Sequence, residues 1–332
     1  MKKEENPPFV SVVTPFFNSD EYLERCIESV LRQSHTNFEY LLIDNCSTDR
    51  SLAIAERYAT SDSRIRLVRA TEFRGQVENY NYGLSLIADS SCYCKLVQAD
   101  DWIFPECLEA MVTVAELDSR IGIVGAYSLW GKSLQGAGLP VDEWHVPGRS
   151  AARMQMLDRV FFTGSPTTIM YRADLVRGRR PFYELGRYHE DTEVAYEIFR
   201  TQDLGFVHQV LSYMSVDPES IMGKRRSYSP HLLDRLIILE RYGREFLSTA
   251  EFADEHRRSE LELIRFLGHS FLHRREAEFW RYQKQGFANM GRAWPRAKIL
   301  ASALNQALDL VLNPKFLFDS VLRKLGRILK RS

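Results

Sequence analysis

Short apolar runs alternate with amphipathic helical patterns in the first part of the chain, and this alternation constrains the fold more than any other feature. Predicted strands cover residues 9–14, 40–43, 65–68 and 93–97, and predicted helices cover residues 22–31, 52–58 and 76–88. Asp20 and Asp49, residue types that favour helix N-termini, precede the first two helices. Three β-α repeats in succession predict a parallel sheet with right-handed crossovers and helices on both faces.

Two adjacent carboxylates follow the fourth predicted strand. Asp100 and Asp101 lie between that strand and a helical pattern that Pro105 opens. In an open α/β sheet, ligands bind beyond the carboxyl ends of the strands. Neighbouring carboxylates repel each other there unless a cation offsets their charge, and a hard divalent ion that carries a diphosphate would do so. The alternative is a solvated turn in which one of the two residues caps the next helix.

Beyond this point the pattern is less regular. Further strands are predicted at residues 121–129, 167–171 and 206–214, helices at 151–160 and 193–199, and a loop at 131–148. From about Gly223 the pattern is entirely helical. The sequence therefore predicts an α/β domain over residues 1–222 and a helical C-terminal region over residues 223–332.

Composition narrows the class of protein. The formal net charge is zero, which argues against a nucleic-acid partner. The five cysteines are odd in number and form no CxxC pair, which indicates reduced thiols. The first residues have no apolar core of a signal peptide, and no apolar run approaches the length of a membrane span. We therefore expect a cytoplasmic protein, or one that lies peripherally on the inner face of the membrane.

The end of the chain has a basic amphipathic pattern over residues 315–331. Its apolar stripe consists of Phe318, Val321, Leu322, Leu325, Ile328 and Leu329. Its other faces carry Lys315, Arg323, Lys324, Arg327, Lys330 and Arg331, with Asp319 as the acidic residue. This pattern is typical of a helix that lies on an anionic membrane. A core or partner helix with a solvated basic face is the alternative.

Four segments in order resemble glycosyltransferase family 2. They are VSVVTPFFN at residues 10–18, IDNCSTD at 43–49, QADD at 98–101 and HED at 189–191. The resemblance covers about residues 9–222, and ENYNYGL at residues 78–84 is similar to members that assemble bacterial surface polysaccharides. It implies an α/β, A-type nucleotide-binding glycosyltransferase fold, with a mostly parallel central sheet flanked by helices. It also implies inverting transfer from a nucleotide-diphosphate sugar, a UDP-sugar, to a saccharide or lipid-linked acceptor.

The resemblance implies a nucleotide-binding role for five residues of the first half. Thr14 and Pro15 would line the nucleoside pocket, and Phe17 would stack against the base. Asp44 would accept the imide N–H of uracil, a task that suits an acceptor-only carboxylate. Arg74 would meet the diphosphate. The alternatives are a core aromatic for Phe17, a turn residue for Asp44 and a solvated arginine for Arg74.

The same resemblance implies the catalytic roles. Asp100 would hold the ribose, and Asp101 would hold Mn²⁺ or Mg²⁺, which grips the diphosphate. Asp191 would be the catalytic base that takes the proton of the acceptor hydroxyl, and Glu190 would touch the acceptor. The alternative for Asp191 is a residue that only favours the dipole of a helix N-terminus. Gln98 stands where an acidic residue often begins the third segment.

Departures from the family pattern keep other functions open. Ser215 and Asp217 stand where many relatives have Arg and His. Together with Gln98 they leave a catalytically degenerate binding module as the non-enzymatic alternative, against which the intact Asp101 and Asp191 argue. Asp217 is either a further metal ligand or a turn residue. A sugar nucleotidyltransferase is the other enzyme class, but residues 15–19 are not the Gly-rich basic loop that it needs. The eight histidines show no metal-ligand spacing.

Overall fold

The chain forms two compact units, Met1–Gly223 and Lys224–Ser332. The computed structural model describes residues 7–158, 160–186, 190–216, 230–273 and 275–312. The predicted basic helix at residues 315–331 lies outside the described residues, as do His189 and Asp217. Among the described residues, no helix combines the length and apolar character that crossing a bilayer requires.

The first unit is an α/β structure built on one sheet. Its strands are β1 Val10–Phe16, β2 Phe38–Asp44, β3 Ile65–Arg69, β4 Tyr93–Leu96, β5 Trp102–Ile103, β6 Ile121–Trp130, β7 Ser133–Gln135, β8 His145–Val146, β9 Ile169–Arg172 and β10 Asp203–Met214. Its helices are α1 Leu23–Leu31, α2 Ser51–Ser61, α3 Gln76–Leu84, α4 Cys107–Ala115, α5 Gly148–Leu157, α6 Ala173–Gly178 and α7 Glu190–Ile198. The short strands β7 and β8 lie in the segment 131–148, so the prediction of a plain loop there was wrong.

The sheet has the strand order β3-β2-β1-β4-β9-β6-β10-β5. The β-α repeats give the parallel pairs β3-β2, β2-β1 and β1-β4, as predicted. Strand β9 runs antiparallel between β4 and β6, and β5 runs antiparallel to β10. β6 and β10 are parallel to each other. The carboxyl ends of β1, β2 and β4 therefore meet at one edge of the sheet.

Helix periodicity explains how the first helices pack. α1 buries Leu23, Cys26, Ile27 and Val30 against the sheet, which is the spacing of one helix face. Arg50 occupies the N-cap position of α2, and Asp49, the predicted cap, lies one residue earlier; its Oδ1 accepts a hydrogen bond from the Ser51 amide at 2.9 Å. Asp20 does not cap α1; its Oδ2 accepts instead from Nε of Arg50 at 3.0 Å.

The second unit is helical. Its helices cover Pro230–Ile238, Thr249–Leu272, Ala277–Asn289 and Arg296–Leu312, with a π-helical turn at Leu239–Gly243 and a short helix at Arg244–Phe246. A capping box of Ser248 and Glu251 begins the longest helix. The core of this unit contains Leu233, Leu236, Leu263, Leu267, Phe279 and Phe287. Arg235 and Glu255 form a shielded ion pair beside it, at 2.8 Å.

Candidate active site

Two exposed aromatic rings stand beyond the carboxyl end of β1. The rings of Phe17 and Phe73 lie edge to face with centroids 4.9 Å apart, and the residues are 42% and 61% exposed. This exposure argues against the alternative that Phe17 is a core aromatic. An aromatic face that is open to solvent can stack on a nucleobase. Phe73 was not predicted as a site residue. An aromatic residue between the charged Glu72 and Arg74 could have indicated an exposed ring.

A neighbouring asparagine fixes the loop that carries Phe73. Asn45 Nδ2 donates to the carbonyl of Arg74 at 2.8 Å, and the Arg74 amide donates to Asn45 Oδ1 at 2.9 Å. The Arg74 guanidinium lies 4.2 Å from the centroid of the Tyr82 ring, a cation–π contact. The Arg74 cation is therefore held at this edge of the sheet, and Asn45 is a positioning residue that sequence reasoning missed.

Three predicted nucleotide-binding residues are buried. The Thr14 hydroxyl lies 3.0 Å from the Tyr40 hydroxyl inside the protein, and Pro15 is buried beside it in β1. The side chain of Thr14 therefore does not line an open pocket, and only the main chain of these residues can do so. Asp44 accepts a hydrogen bond from the Ser47 amide at 3.1 Å, which is the turn contact that the alternative described.

Asp101 is held by two donors from the second half of the sheet. Its Oδ2 accepts from Oγ1 of Thr167 at 2.6 Å, and its Oδ1 accepts from the Ser215 amide at 2.9 Å. Burial, and after it the negative charge of Asp100, raises the pKa of Asp101 to about 8. The main chain of Asp100 is also fixed, because its carbonyl accepts from Arg25 at 3.4 Å.

The donor set at this position fits a divalent ion. Asp100 and Asp101 repel each other when both are ionised, and the pKa of Asp101 is raised. A cation nearby would stabilise the ionised form of both carboxylates. A carboxylate offers about four lone-pair sites, and the contacts from Thr167 and Ser215 occupy two of those on Asp101. Within the described ranges, no cluster of three or more His, Cys, Asp and Glu side chains forms a metal cage. Mg²⁺ and Mn²⁺ commonly use one or two carboxylates together with substrate phosphates.

Asp191 lies in the first turn of α7, which begins three residues earlier than predicted. Its Oδ1 accepts from the amide of Thr192 at 2.6 Å, and the residue is 8% exposed. Burial raises the pKa of Asp191 to about 6, against the opposing hydrogen bonds from Thr192. A carboxyl group with this pKa can accept and release a proton near neutral pH.

One buried tyrosine on α3, Tyr80, is affected by the charges of both groups of carboxylates. Burial, and after it the negative charges of Glu190, Asp100 and Asp101, raise the pKa of Tyr80 well above its ordinary value. The charges of predicted acceptor-side and metal-side residues therefore both act on the same buried phenol. Gln98, in the loop that follows β4, contacts this tyrosine directly: its Nε2 donates to the Tyr80 hydroxyl at 3.0 Å.

The next residue of α3, Asn81, forms hydrogen bonds with the main chain of Tyr183. Asn81 Nδ2 donates to the carbonyl of Tyr183 at 2.8 Å, and the Tyr183 amide donates to Asn81 Oδ1 at 2.8 Å. This pair of bonds fixes the main chain at Tyr183, in the segment that follows α6, against α3.

The fold is similar to that of solved proteins that bind nucleotide sugars. The Staphylococcus aureus TarS fragment 1–349 in complex with UDP-GlcNAc matches with a TM-score of 0.59 over 85% of this chain and 80% of that chain, at 17% identity. The mannosyltransferase PcManGT from Pyrobaculum calidifontis, in complex with GDP-Man and Mn²⁺, matches with a TM-score of 0.53 over 90% of this chain and 80% of that chain, at 16% identity. The chain therefore has the A-type nucleotide-binding glycosyltransferase fold, with a helical C-terminal region.

The sequence identifies the family. The model of "Glycosyl transferase family 2" matches residues 11–179, just over half of the chain. The chain belongs to glycosyltransferase family 2. An uncharacterized glycosyltransferase of Haemophilus influenzae is 32% identical over 123 residues, 37% of this chain and 38% of that protein. The putative teichuronic acid biosynthesis glycosyltransferase TuaG of Bacillus subtilis is 33% identical over 142 residues, 42% of this chain and 54% of that protein. The matches thus span from about two fifths to about half of these relatives.

Proposed function

We propose that the chain is a metal-dependent, inverting glycosyltransferase that uses a nucleotide-diphosphate sugar. The observation that carries this proposal is a pair of buried carboxyl groups, each beside a second acidic residue. Asp101 follows β4 next to Asp100, and Asp191 lies in the first turn of α7 next to Glu190. The charges of Asp100, Asp101 and Glu190 all raise the pKa of Tyr80. One group suits a metal–diphosphate, and the other suits a base for the acceptor hydroxyl.

In this proposal Asp191 is the catalytic base. Its carboxylate takes the proton of the acceptor hydroxyl as that oxygen forms a bond to C1 of the sugar. The bond from C1 to the diphosphate oxygen breaks in the same step, and the electron pair leaves with the nucleoside diphosphate. A single displacement of this kind inverts the configuration at C1. Glu190 contacts the acceptor beside the base.

Asp101 and Asp100 hold the leaving group. When bound, a divalent ion neutralises the charge that develops on the diphosphate. Asp101 would bind Mn²⁺ or Mg²⁺, Asp100 would bind the ribose, and Arg74 would add positive charge near the phosphates. PcManGT was solved with Mn²⁺, which supports a metal in a protein of this fold.

A uridine nucleotide is the proposed donor. Phe17 would stack on the base, and Asp44 would accept the imide N–H of uracil with a lone pair that its hydrogen bond from Ser47 does not use. The fold alone accommodates different bases, since TarS was solved with UDP-GlcNAc and PcManGT with GDP-Man. The uracil assignment therefore depends on Asp44 of this chain.

The proposed acceptor is a saccharide or lipid-linked saccharide of a surface polysaccharide. The name of TuaG, which refers to teichuronic acid biosynthesis, supports this class. A lipid-linked acceptor would suit a cytoplasmic protein that lies on the inner face of the membrane through residues 315–331. The basic amphipathic sequence of that segment supports this location.

A donor screen tests the proposal. Thermal unfolding with Mn²⁺ and a panel of nucleotide sugars should show a clear rise in Tm for the true donor, because a ligand that binds the native state stabilises it by mass action. That donor should then be hydrolysed slowly in water and transferred to an acceptor. Binding without either reaction would indicate a degenerate binding module. Release of pyrophosphate from a nucleoside triphosphate and a sugar phosphate would indicate a nucleotidyltransferase.

A further inference from the structure

Strands β4 and β9 are neighbours over only a short distance. They pair at Tyr93 with Arg172 and at Cys94 with Tyr171, and they separate beyond these pairs. From there β4 continues toward Asp101, while residues 164–168 lie on the side of β9. Where two strands part, their facing main-chain groups lose ladder partners and need others.

Lys95 occupies this point of separation. Its side chain is fully buried, and Nζ donates to the carbonyl of Thr167 at 2.7 Å and to that of Ile169 at 3.2 Å. Burial lowers the pKa of Lys95, and the negative charge of Asp101 is one of the effects that oppose this shift. An apolar residue would fit the buried strand but would leave both carbonyls without this donor. Lys95 therefore ties the segment before β9 to β4.

Thr167 makes the next connection. Its Oγ1 accepts a hydrogen bond from the Gln98 amide at 3.1 Å and donates to Oδ2 of Asp101 at 2.6 Å. A hydroxyl has one proton, and an amide N–H can only donate. The proton of Thr167 therefore points to Asp101, and the amide of Gln98 fixes the position of the hydroxyl from the other side.

We propose that Thr167 and Lys95 are positioning residues for Asp101. Lys95 holds the main chain of Thr167, and Thr167 orients the Asp101 carboxylate so that its remaining lone pairs face the divalent ion of a nucleoside diphosphate. This inference rests on the proposed function, because it concerns how Asp101 binds the metal. If the inference is correct, the affinity for the donor depends on residues 164–168, the segment before β9.

Two substitutions of Thr167 test the proposal without disturbing Lys95. Thr167→Val keeps the shape and the main-chain carbonyl but removes the hydroxyl, whereas Thr167→Ser keeps the hydroxyl. Calorimetry with UDP, with and without Mn²⁺, should show that Thr167→Val loses roughly 10- to 100-fold of the Mn²⁺-dependent affinity, the usual effect of losing a hydrogen bond to a charged group. Thr167→Ser should stay within about threefold of the parent. The affinity for UDP alone should be the same in all three proteins.

Hydrogen exchange gives a second readout. The Gln98 amide should exchange faster in Thr167→Val than in Thr167→Ser, since only valine removes its acceptor. Lys95→Met tests the contact between Lys95 and the main chain of Thr167 in a double-mutant cycle with Thr167→Val. It should weaken Mn²⁺-dependent binding in the parent and have a smaller effect when Thr167 is already valine.

The outcomes separate this inference from the proposed function. A parent chain that binds UDP equally with and without Mn²⁺ would refute the proposed function. A parent chain that depends on Mn²⁺, together with a Thr167→Val variant of unchanged Mn²⁺-dependent affinity, would refute the positioning role alone. If Lys95→Met does not fold, the Thr167 pair still decides the question.

Discussion

Replacement of Asp191 by asparagine tests the catalytic base, because asparagine keeps the size and the acceptor oxygen of the side chain but cannot take up the proton. Transfer should fall by roughly 10²–10⁴-fold, the usual contribution of a positioned base. The loss should appear in kcat more than in KM, since the proton moves only in the transition state. Donor and Mn²⁺ affinity, measured by calorimetry, should not change.

The raised pKa of Asp191 also predicts a pH dependence. Burial raises the pKa from 3.8 to about 6. The fraction of ionised carboxylate, and with it the rate of the parent protein, should therefore rise about tenfold between pH 5 and pH 7. The Asp191→Asn variant should lack this rise. Initial rates at saturating donor across this range measure the difference.

The same shift predicts a change in stability. The folded state binds the Asp191 proton more tightly than the unfolded state, so the contribution of this group is favourable at low pH and is lost as the pH rises through about 6. The cost of holding the ionised group is small at pH 4 and grows to about 3 kcal/mol at pH 8. Asparagine avoids this cost. Asp191→Asn should therefore raise the free energy of unfolding at pH 8 by up to about 3 kcal/mol and change it little at pH 4.

Glu190→Gln is the matched control, because Glu190 precedes the base in the same helical turn and is more exposed. Its effects on rate and on stability should both be smaller. If Glu190→Gln is inactive while Asp191→Asn transfers sugar at the parent rate, the two roles are reversed. If Asp191→Asn is less stable than the parent at pH 8, the reasoning from burial is wrong.

Three further predictions concern donor binding and location. Asp101→Asn should abolish the Mn²⁺-dependent part of UDP affinity, and equal calorimetric affinities at saturating Mn²⁺ would contradict the metal assignment. Phe17→Ala and Phe73→Ala should each weaken UDP binding by roughly 5- to 100-fold, since stacking on a base contributes about 1–3 kcal/mol; Leu117→Ala, at another exposed position, is the control. Removal of residues 314–332 should release the protein from anionic vesicles in a flotation assay without a change in UDP affinity, whereas an intact chain that does not bind such vesicles would refute the membrane role.

The first half of the fold was predictable because its signals are local. Strands such as Phe38–Asp44 and helices such as Leu23–Leu31 carry their apolar period within a few residues. Strands as short as Trp102–Ile103 and His145–Val146 have too few residues to show a period. They form because their long partner β10 offers main-chain groups from a distant part of the chain.

The site was predictable where a residue type implies its chemistry, and less so where orientation matters. Asp100 and Asp101 lie at the carboxyl end of β4, as the strand pattern required. The sequence could not show that the side chain of Thr14 points into the protein, because this orientation depends on its contact with Tyr40 in the neighbouring strand. Lys95 interrupts an apolar run, and its burial follows from the separation of β4 and β9. That separation depends on strand order, which local periodicity does not contain.

The strands at the two ends of the main strand order affect how copies of the chain meet. An outer strand exposes main-chain N–H and C=O groups that can pair with a strand of another molecule and begin aggregation. At one end of the sheet, β3 carries the exposed, charged residues Arg66 and Arg69, which form ion pairs with Glu39 and Glu56, and charged side chains on an outer strand hinder pairing with a second copy. At the other end, β5 is two residues long and provides little backbone to pair with. Both ends therefore disfavour strand-to-strand association at high protein concentration.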